Sequence, residues 1–219
     1  LKHAALSLFL AAATCLAQQD PPDIKAIEKR ANAGEAKAQL TLGLIYDEGV
    51  GVERDRRKAA VWLEKAAEQG VPEAQFNIGT MYEIGVGVRK DEAKALEWFE
   101  KAATQGLVDA QFNLANMYAT GRGTKQDIAK AAEWYEKAAT RGMTRAQVNL
   151  ALLYMRGEVK GQGIPRNNMK GYAWFSLAAA DGDPTGKKSR DFIERKLNAE
   201  QKAMFRKAAA ELAATIKKQ

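Results

Sequence analysis

Four glycines, Gly34, Gly70, Gly106 and Gly142, recur at intervals of 36 residues, and no other feature constrains the fold as much. After each comes an Ala-Gln step: Ala38-Gln39, Ala74-Gln75, Ala110-Gln111 and Ala146-Gln147. Tyr46, Tyr82, Tyr118 and Tyr154 keep the same spacing, as do Gly49, Gly85, Gly121 and Gly157. Asp55, Asp91 and Asp127 follow it, and so do Trp62, Trp98 and Trp134. Trp174 arrives 40 residues after Trp134, which predicts a four-residue insertion in the last block. A period of this length without strand-like alternation predicts an all-α array of helix pairs. Such an array is expected to form one continuous folding unit.

The second block shows how a unit is built. Pro72 stands at a helix start, where its missing N–H costs nothing. Ala74, Ile78, Gly79 and Tyr82 recur at three- and four-residue steps and mark one face of a first helix, A. Gly85-Val86-Gly87 ends it, because glycine accepts the left-handed backbone of a helix C-terminus. Asp91 is the expected N-cap of a second helix, B. Ala95, Trp98 and Ala102 are its expected buried stripe, with the tryptophans of all blocks filling the gaps between neighbours.

The remaining chain is arranged around this unit. Residues 18–34 comprise a Pro21-Pro22 linker and a capping helix. Four blocks follow at 35–70, 71–106, 107–142 and 143–182. Lys160-Gly161-Gln162-Gly163 swell the A–B turn of the fourth. Residues 183–219 form a basic helical cap in which Asn198 and Gln201 are spaced as a capping box.

Composition narrows the function classes. Lys2-His3, an apolar run over 4–16 and the small-x-small end Cys15-Leu16-Ala17 predict a signal peptide over 1–17, cut after Ala17. Lipid attachment at Cys15 is disfavoured by Thr14 before it. The expected setting is exported, periplasmic or secreted, with no membrane span left after cleavage. Cleavage would remove the only His and the only Cys, which excludes thiol and imidazole chemistry and ordinary zinc sites from the mature chain. Net charge is +7 overall, and residues 183–219 contribute +5 of it, from 10 Lys and Arg against 5 Asp and Glu. A basic end of this kind is ordinarily a solvated face; as a binding surface it would suit an acidic partner, a cell-envelope glycan, an anionic envelope polymer or a membrane surface. Nucleic acid is not expected, because aromatic and basic residues do not interleave there.

The run Ala-Gln-x-x-Leu-Gly-x-x-Tyr-x-x-Gly-x-Gly, then Asp-x-x-Lys-Ala-x-x-Trp-x-x-Lys-Ala-Ala-x-x-Gly, resembles the Sel-one-like repeat, a relative of the tetratricopeptide repeat. The resemblance covers about residues 24–197. The fourth block departs from the pattern, with Asn167 for Asp, Gly171 for Ala and Ser176-Leu177 for Glu-Lys. Tyr172-Ala173-Trp174-Phe175-Ser176-Leu177-Ala178-Ala179 resembles the last repeat of many exported bacterial members. The resemblance implies a right-handed α-solenoid that acts as a non-catalytic scaffold for protein or peptide partners. A cysteine-rich branch is linked to β-lactamase or penicillin binding. An envelope hydrolase of that type is the competing reading, but the paired repeat cysteines are missing here.

Other motifs have plainer explanations. The Gly-x-Gly triplets lack the strand and third glycine of a dinucleotide loop. Glu97 with Glu100, and Glu133 with Glu136, fit carboxylates paired with lysine on a solvent face better than a glycosidase dyad. No catalytic, cofactor or metal residue is assigned. The recurring Asn77, Asn113 and Asn149, with Thr41 in the first block, are unusual in helix interiors. Each amide bonds a neighbouring helix or lines a concave groove. Thr80 and Asn116, on the same face, and Arg145 vary between blocks. The candidate partner-binding residues are therefore Asn77, Thr80, Asn113, Asn116, Arg145 and Asn149.

Overall fold

The computed structural model describes residues 23–157 and 163–217. The expected signal peptide with His3 and Cys15, the Pro21-Pro22 linker and Lys160-Gly161-Gln162 lie outside the described residues. All regular structure among the described residues is helical: α1 (Ile24–Asn32), α2 (Ala36–Glu48), α3 (Arg56–Glu68), α4 (Pro72–Ile84), α5 (Glu92–Thr104), α6 (Val108–Thr120), α7 (Ile128–Thr140), α8 (Thr144–Arg156), α9 (Asn168–Ala180), α10 (Pro184–Glu194) and α11 (Ala199–Ile216). Two compact units divide the chain after Asp91. Each helix of an array touches only near neighbours, so such a division follows from local packing. In the first unit α1 to α4 pack in succession, and in the second α5 to α9 do, with α10 and α11 both against α9.

The A–B turns close by one repeated bond. The backbone N–H of Asp55 donates to Tyr46 O, that of Asp91 to Tyr82 O and that of Asp127 to Tyr118 O, each at 2.9 Å. In the fourth repeat Asn167 donates to Tyr154 O at the same 2.9 Å, although four more residues separate the two and Gly157 leaves α8 in an extended ψ rather than the left-handed cap of the other turns. Asn167 also caps α9 as Asp127 caps α7, its Oδ1 accepting from the backbone of Lys170 at 2.9 Å. Substitution of Asp by Asn in this block leaves the cap intact, since both side chains offer the same acceptor.

The Ala-Gln step has a function that spacing alone did not reveal. Gln39, Gln75, Gln111 and Gln147 are the buried polar residues of the core. Each side-chain amide donates to the carbonyl of an alanine in the last turn of the preceding helix: Ala31 at 3.1 Å, Ala67 at 3.1 Å, Ala103 at 3.2 Å and Ala139 at 3.3 Å. Those carbonyls belong to the set that no intrahelical donor reaches. The same four oxygens accept from the backbone of Gly34, Gly70, Gly106 and Gly142.

The tryptophans depart from expectation. Trp62, Trp98 and Trp134 are only half-buried, and the next residue fills the core instead: Leu63, Phe99 and Tyr135. One helical step turns a side chain by about 100°, which carries the indole off the alanine stripe. Each ring then lies under the lysine three residues on, with Lys65 at 4.2 Å, Lys101 at 3.9 Å and Lys137 at 3.8 Å from the ring centre. Trp174 alone is fully buried, because α9 has neighbours in α8, α10 and α11.

The second glycine of each Gly-x-Gly seats the turn against another helix. A Cβ at Gly123 (φ +68°) would stand 2.2 Å from the Glu92 carbonyl oxygen at the start of α5. Gly142 (φ +84°) has open space around its missing Cβ. Gly142→Ala is therefore expected to cost only the left-handed strain, about 1 kcal/mol. Gly123→Ala adds a backbone collision and should cost about 3 kcal/mol or more. Urea unfolding of the two variants measures the difference; equal losses would disprove the seating.

Candidate functional site

The second unit brings four of the six candidate residues onto neighbouring helices. Asn113 and Asn116 lie on α6, Arg145 and Asn149 on α8, and Tyr135 of α7 links Asn116 to Asn149. The Tyr135 hydroxyl donates to Asn116 Oδ1 at 2.5 Å, and the Asn149 side chain hydrogen-bonds the same phenol. Burial pushes the Tyr135 phenol up, with Asn149 acting in the opposite sense. Phe112 of α6 lies against the Tyr135 ring, centre to centre 5.8 Å, and the Arg145 guanidinium sits over the Phe112 ring, 5.0 Å from its centre. Burial raises the Asp109 carboxyl above its usual range against the opposing pull of Arg145.

Asn149 and Asn116 thus bond a neighbouring helix, the structural role considered for such amides. Asn113 is half-buried beside them and makes no side-chain hydrogen bond among the described residues. Asn77 and Thr80 lie on α4 of the first unit. Thr80 spends its hydroxyl on the Phe76 carbonyl at 3.0 Å, while Asn77 is half-buried. Phe112 and Tyr135 were not singled out by sequence reasoning. A signal existed: at the position of Tyr135 the other repeats carry Leu63, Phe99 and Phe175, so only the third has a hydroxyl there.

Two other glutamates meet the repeat tyrosines. Glu28 accepts from the Tyr46 hydroxyl at 3.1 Å and Glu64 from the Tyr82 hydroxyl at 2.9 Å. Burial first, then the nearby Glu100 charge, pushes the Tyr118 phenol up. Burial, followed by the Glu64 bond, pushes Tyr82 up to about 12. Among the described residues no group of three His, Cys, Asp or Glu could hold a metal ion. No described helix is long and apolar enough to cross a membrane.

The basic end is organised by one carboxylate. Glu194 of α10 accepts from Arg206 of α11 through two nitrogens, at 3.0 and 2.9 Å, and from the Tyr172 hydroxyl of α9 at 2.5 Å. Arg206 first, then Tyr172, holds this carboxyl well below the usual carboxylate range, at about 2. Phe205 packs edge-on against the Tyr172 ring at 5.4 Å.

The Sel1 repeat model matches residues 36–71, 72–107, 108–143 and 144–183, which is most of the chain. The chain belongs to the Sel1 repeat family. Its helix pairs have the α-solenoid class of fold, and proteins of this family commonly serve as scaffolds for protein partners. A comparison with curated proteins finds no match. Among solved structures, c5321, described as a protective antigen present in uropathogenic Escherichia coli strains and displaying an SLR fold, is similar at 36% identity and TM-score 0.72. The likeness covers 86% of this chain but 40% of c5321, so the chain spans well under half the length of that relative. A Sel1 repeat protein from Oxalobacter formigenes is similar at 30% identity and TM-score 0.70, over 82% of this chain and 74% of the other.

Two measurements test this geometry in the Sel1 repeats. Tyr135→Phe leaves the Asn116 carbonyl without its buried donor and should lower stability by about 1–2 kcal/mol with helix content unchanged; calorimetry reads it. For Glu194 the folded value lies below the unfolded one, so its contribution is complete above about 4.5 and is lost as pH falls from there toward 2. Glu194→Gln should lower Tm at pH 7, and the gap from wild type should shrink toward pH 2.

Proposed function

We propose that this Sel1 repeat protein is a non-catalytic interaction module that takes a protein or peptide segment on the face carried by α6 and α8. The observation that supports this is Arg145 laid over Phe112 beside amides braced by the Tyr135 hydroxyl. Bracing keeps Asn116 and Asn149 in place before a partner arrives, which reduces the ordering cost of binding. Phe112 offers an apolar platform, Arg145 a charged donor, and the half-buried Asn113 an amide suited to a peptide backbone. Arginine beside an aromatic ring is a common anchor at interfaces. Asn77 and Thr80 on α4 are candidate contact residues of the first unit, taken by itself. The leader-like residues 1–17 support an exported, periplasmic or secreted setting.

A photo-crosslinking residue at the exposed position 152 on α8 tests the reading in native envelope extract. One dominant adduct is expected at that position. Binding of the purified partner should weaken about a hundredfold when Phe112 and Arg145 are both replaced by alanine, the loss of two anchoring contacts. Replacement of Val61, exposed on α3, should leave it unchanged. A partner that binds the double variant as well as wild type would remove the assignment of this face.

A further inference from the structure

Between α10 and α11 lies a cleft of about 410 Å³, lined by Lys188, Asp191, Glu194, Arg195 and Lys202. Its carboxylates and its cations are not paired with one another. Asp191 is taken by Arg190, whose Nε and terminal nitrogen reach Oδ1 at 2.9 and 2.7 Å. Glu194 is taken by Arg206 and Tyr172. The side chains of Lys188, Arg195 and Lys202 are left without an ion pair or hydrogen bond among the described residues. Like charges gathered at one place repel, and the two acids that would relieve them are neutralised from outside the cleft.

We propose that this cleft binds a phosphate ester, with the phosphate held between the Arg195 guanidinium and the ammonium groups of Lys188 and Lys202. A planar guanidinium fork beside two point-charge donors is the chemistry that phosphate oxygens select. The volume is that of a small-molecule pocket, roughly 300–1,000 Å³, and exceeds what a bare ion needs. It leaves room for the alcohol side of the ester. Asp191 Oδ2 accepts no hydrogen bond among the described residues, because Arg190 is bound to Oδ1. That oxygen is placed to accept from a hydroxyl of a glycerol or sugar moiety. The ligand class is a polyol phosphate, carried on a soluble ester or polymer or on an anionic lipid headgroup. This site gives the basic end a role separate from the α6–α8 face and stands whether or not that face binds a protein.

Titration calorimetry of the full chain with glycerol 1-phosphate at low salt tests the proposal. One-to-one saturation is expected. The double substitution Lys188→Gln with Lys202→Gln should weaken it about tenfold or more, through loss of charge-assisted contacts. Lys207→Gln with Lys217→Gln removes equal charge from the same basic end outside the cleft and should leave affinity within about twofold, as screening of distant charges predicts. Circular dichroism checks that both variants are folded. Asp191→Asn should reduce the preference for glycerol 1-phosphate over inorganic phosphate. Vesicles of phosphatidylglycerol in phosphatidylcholine distinguish the sources: binding displaced by glycerol 1-phosphate assigns the headgroup, and binding of the ester alone assigns a soluble ligand. No saturable binding, equal loss in the two double variants, or vesicle binding that glycerol 1-phosphate does not displace overturns the site.

Discussion

One alanine carbonyl in each repeat is the junction on which the array depends. Ala31, Ala67, Ala103 and Ala139 each receive a backbone donor from the closing glycine and a side-chain donor from the next glutamine. The first bond ends one helix; the second fixes where the next begins. The glutamine supplies a second donor to a carbonyl that can accept two, a bond of about 1 kcal/mol, and this offsets burying its amide in an otherwise alanine-rich core. Neighbouring repeats are stitched further at the same corner. Gln69 donates to Gly34 O at 3.0 Å and Arg141 to Gly106 O at 3.0 Å, each 35 residues away. Gln69 also meets Gln39 Oε1 at 2.7 Å, whereas Gln111 and Gln147 keep a buried Oε1 without a partner among the described residues. The corner is thus uniform in its backbone and variable in its side chains.

The fold was legible because the period exposes a residue's position in the repeat. Gly85 at the end of α4, Pro72 at its start and the Asn198–Gln201 capping box all stand where local chemistry placed them. Depth was less legible. Trp62-Leu63, Trp98-Phe99 and Trp134-Tyr135 each pair two large apolar residues, and a pattern of spacing does not say which one faces inward. The alanine stripe decides it, together with a lysine three residues on that covers the indole. The candidate site was legible in its amides and not in its brace. Asn149 recurs with Asn77 and Asn113, and Asn116 stands at a position that varies between blocks, so both attract notice, while Tyr135 occupies a position that reads as core in every repeat.

The third and fourth repeats show how an array acquires individuality without losing its frame. In the third, a single hydroxyl at Tyr135 recruits side chains from α6 and α8 that in other repeats have only carbon to face. In the fourth, α9 gives up the half-exposed pattern and buries Tyr172, Trp174 and Phe175 together, with Gly186 allowing α10 to cross it closely. That burial lets Tyr172 reach Glu194, and through it Arg206 holds α11 to the end of the array.

The bond from Asn167 to Tyr154 separates loop length from helix spacing. Three turns of the ordinary length and one longer by four residues end on the same contact. Whatever is inserted between these anchors is held at both ends by a closure that does not depend on it. The A–B turn is therefore a socket: chain can be added or exchanged there, and the helices on either side keep their places.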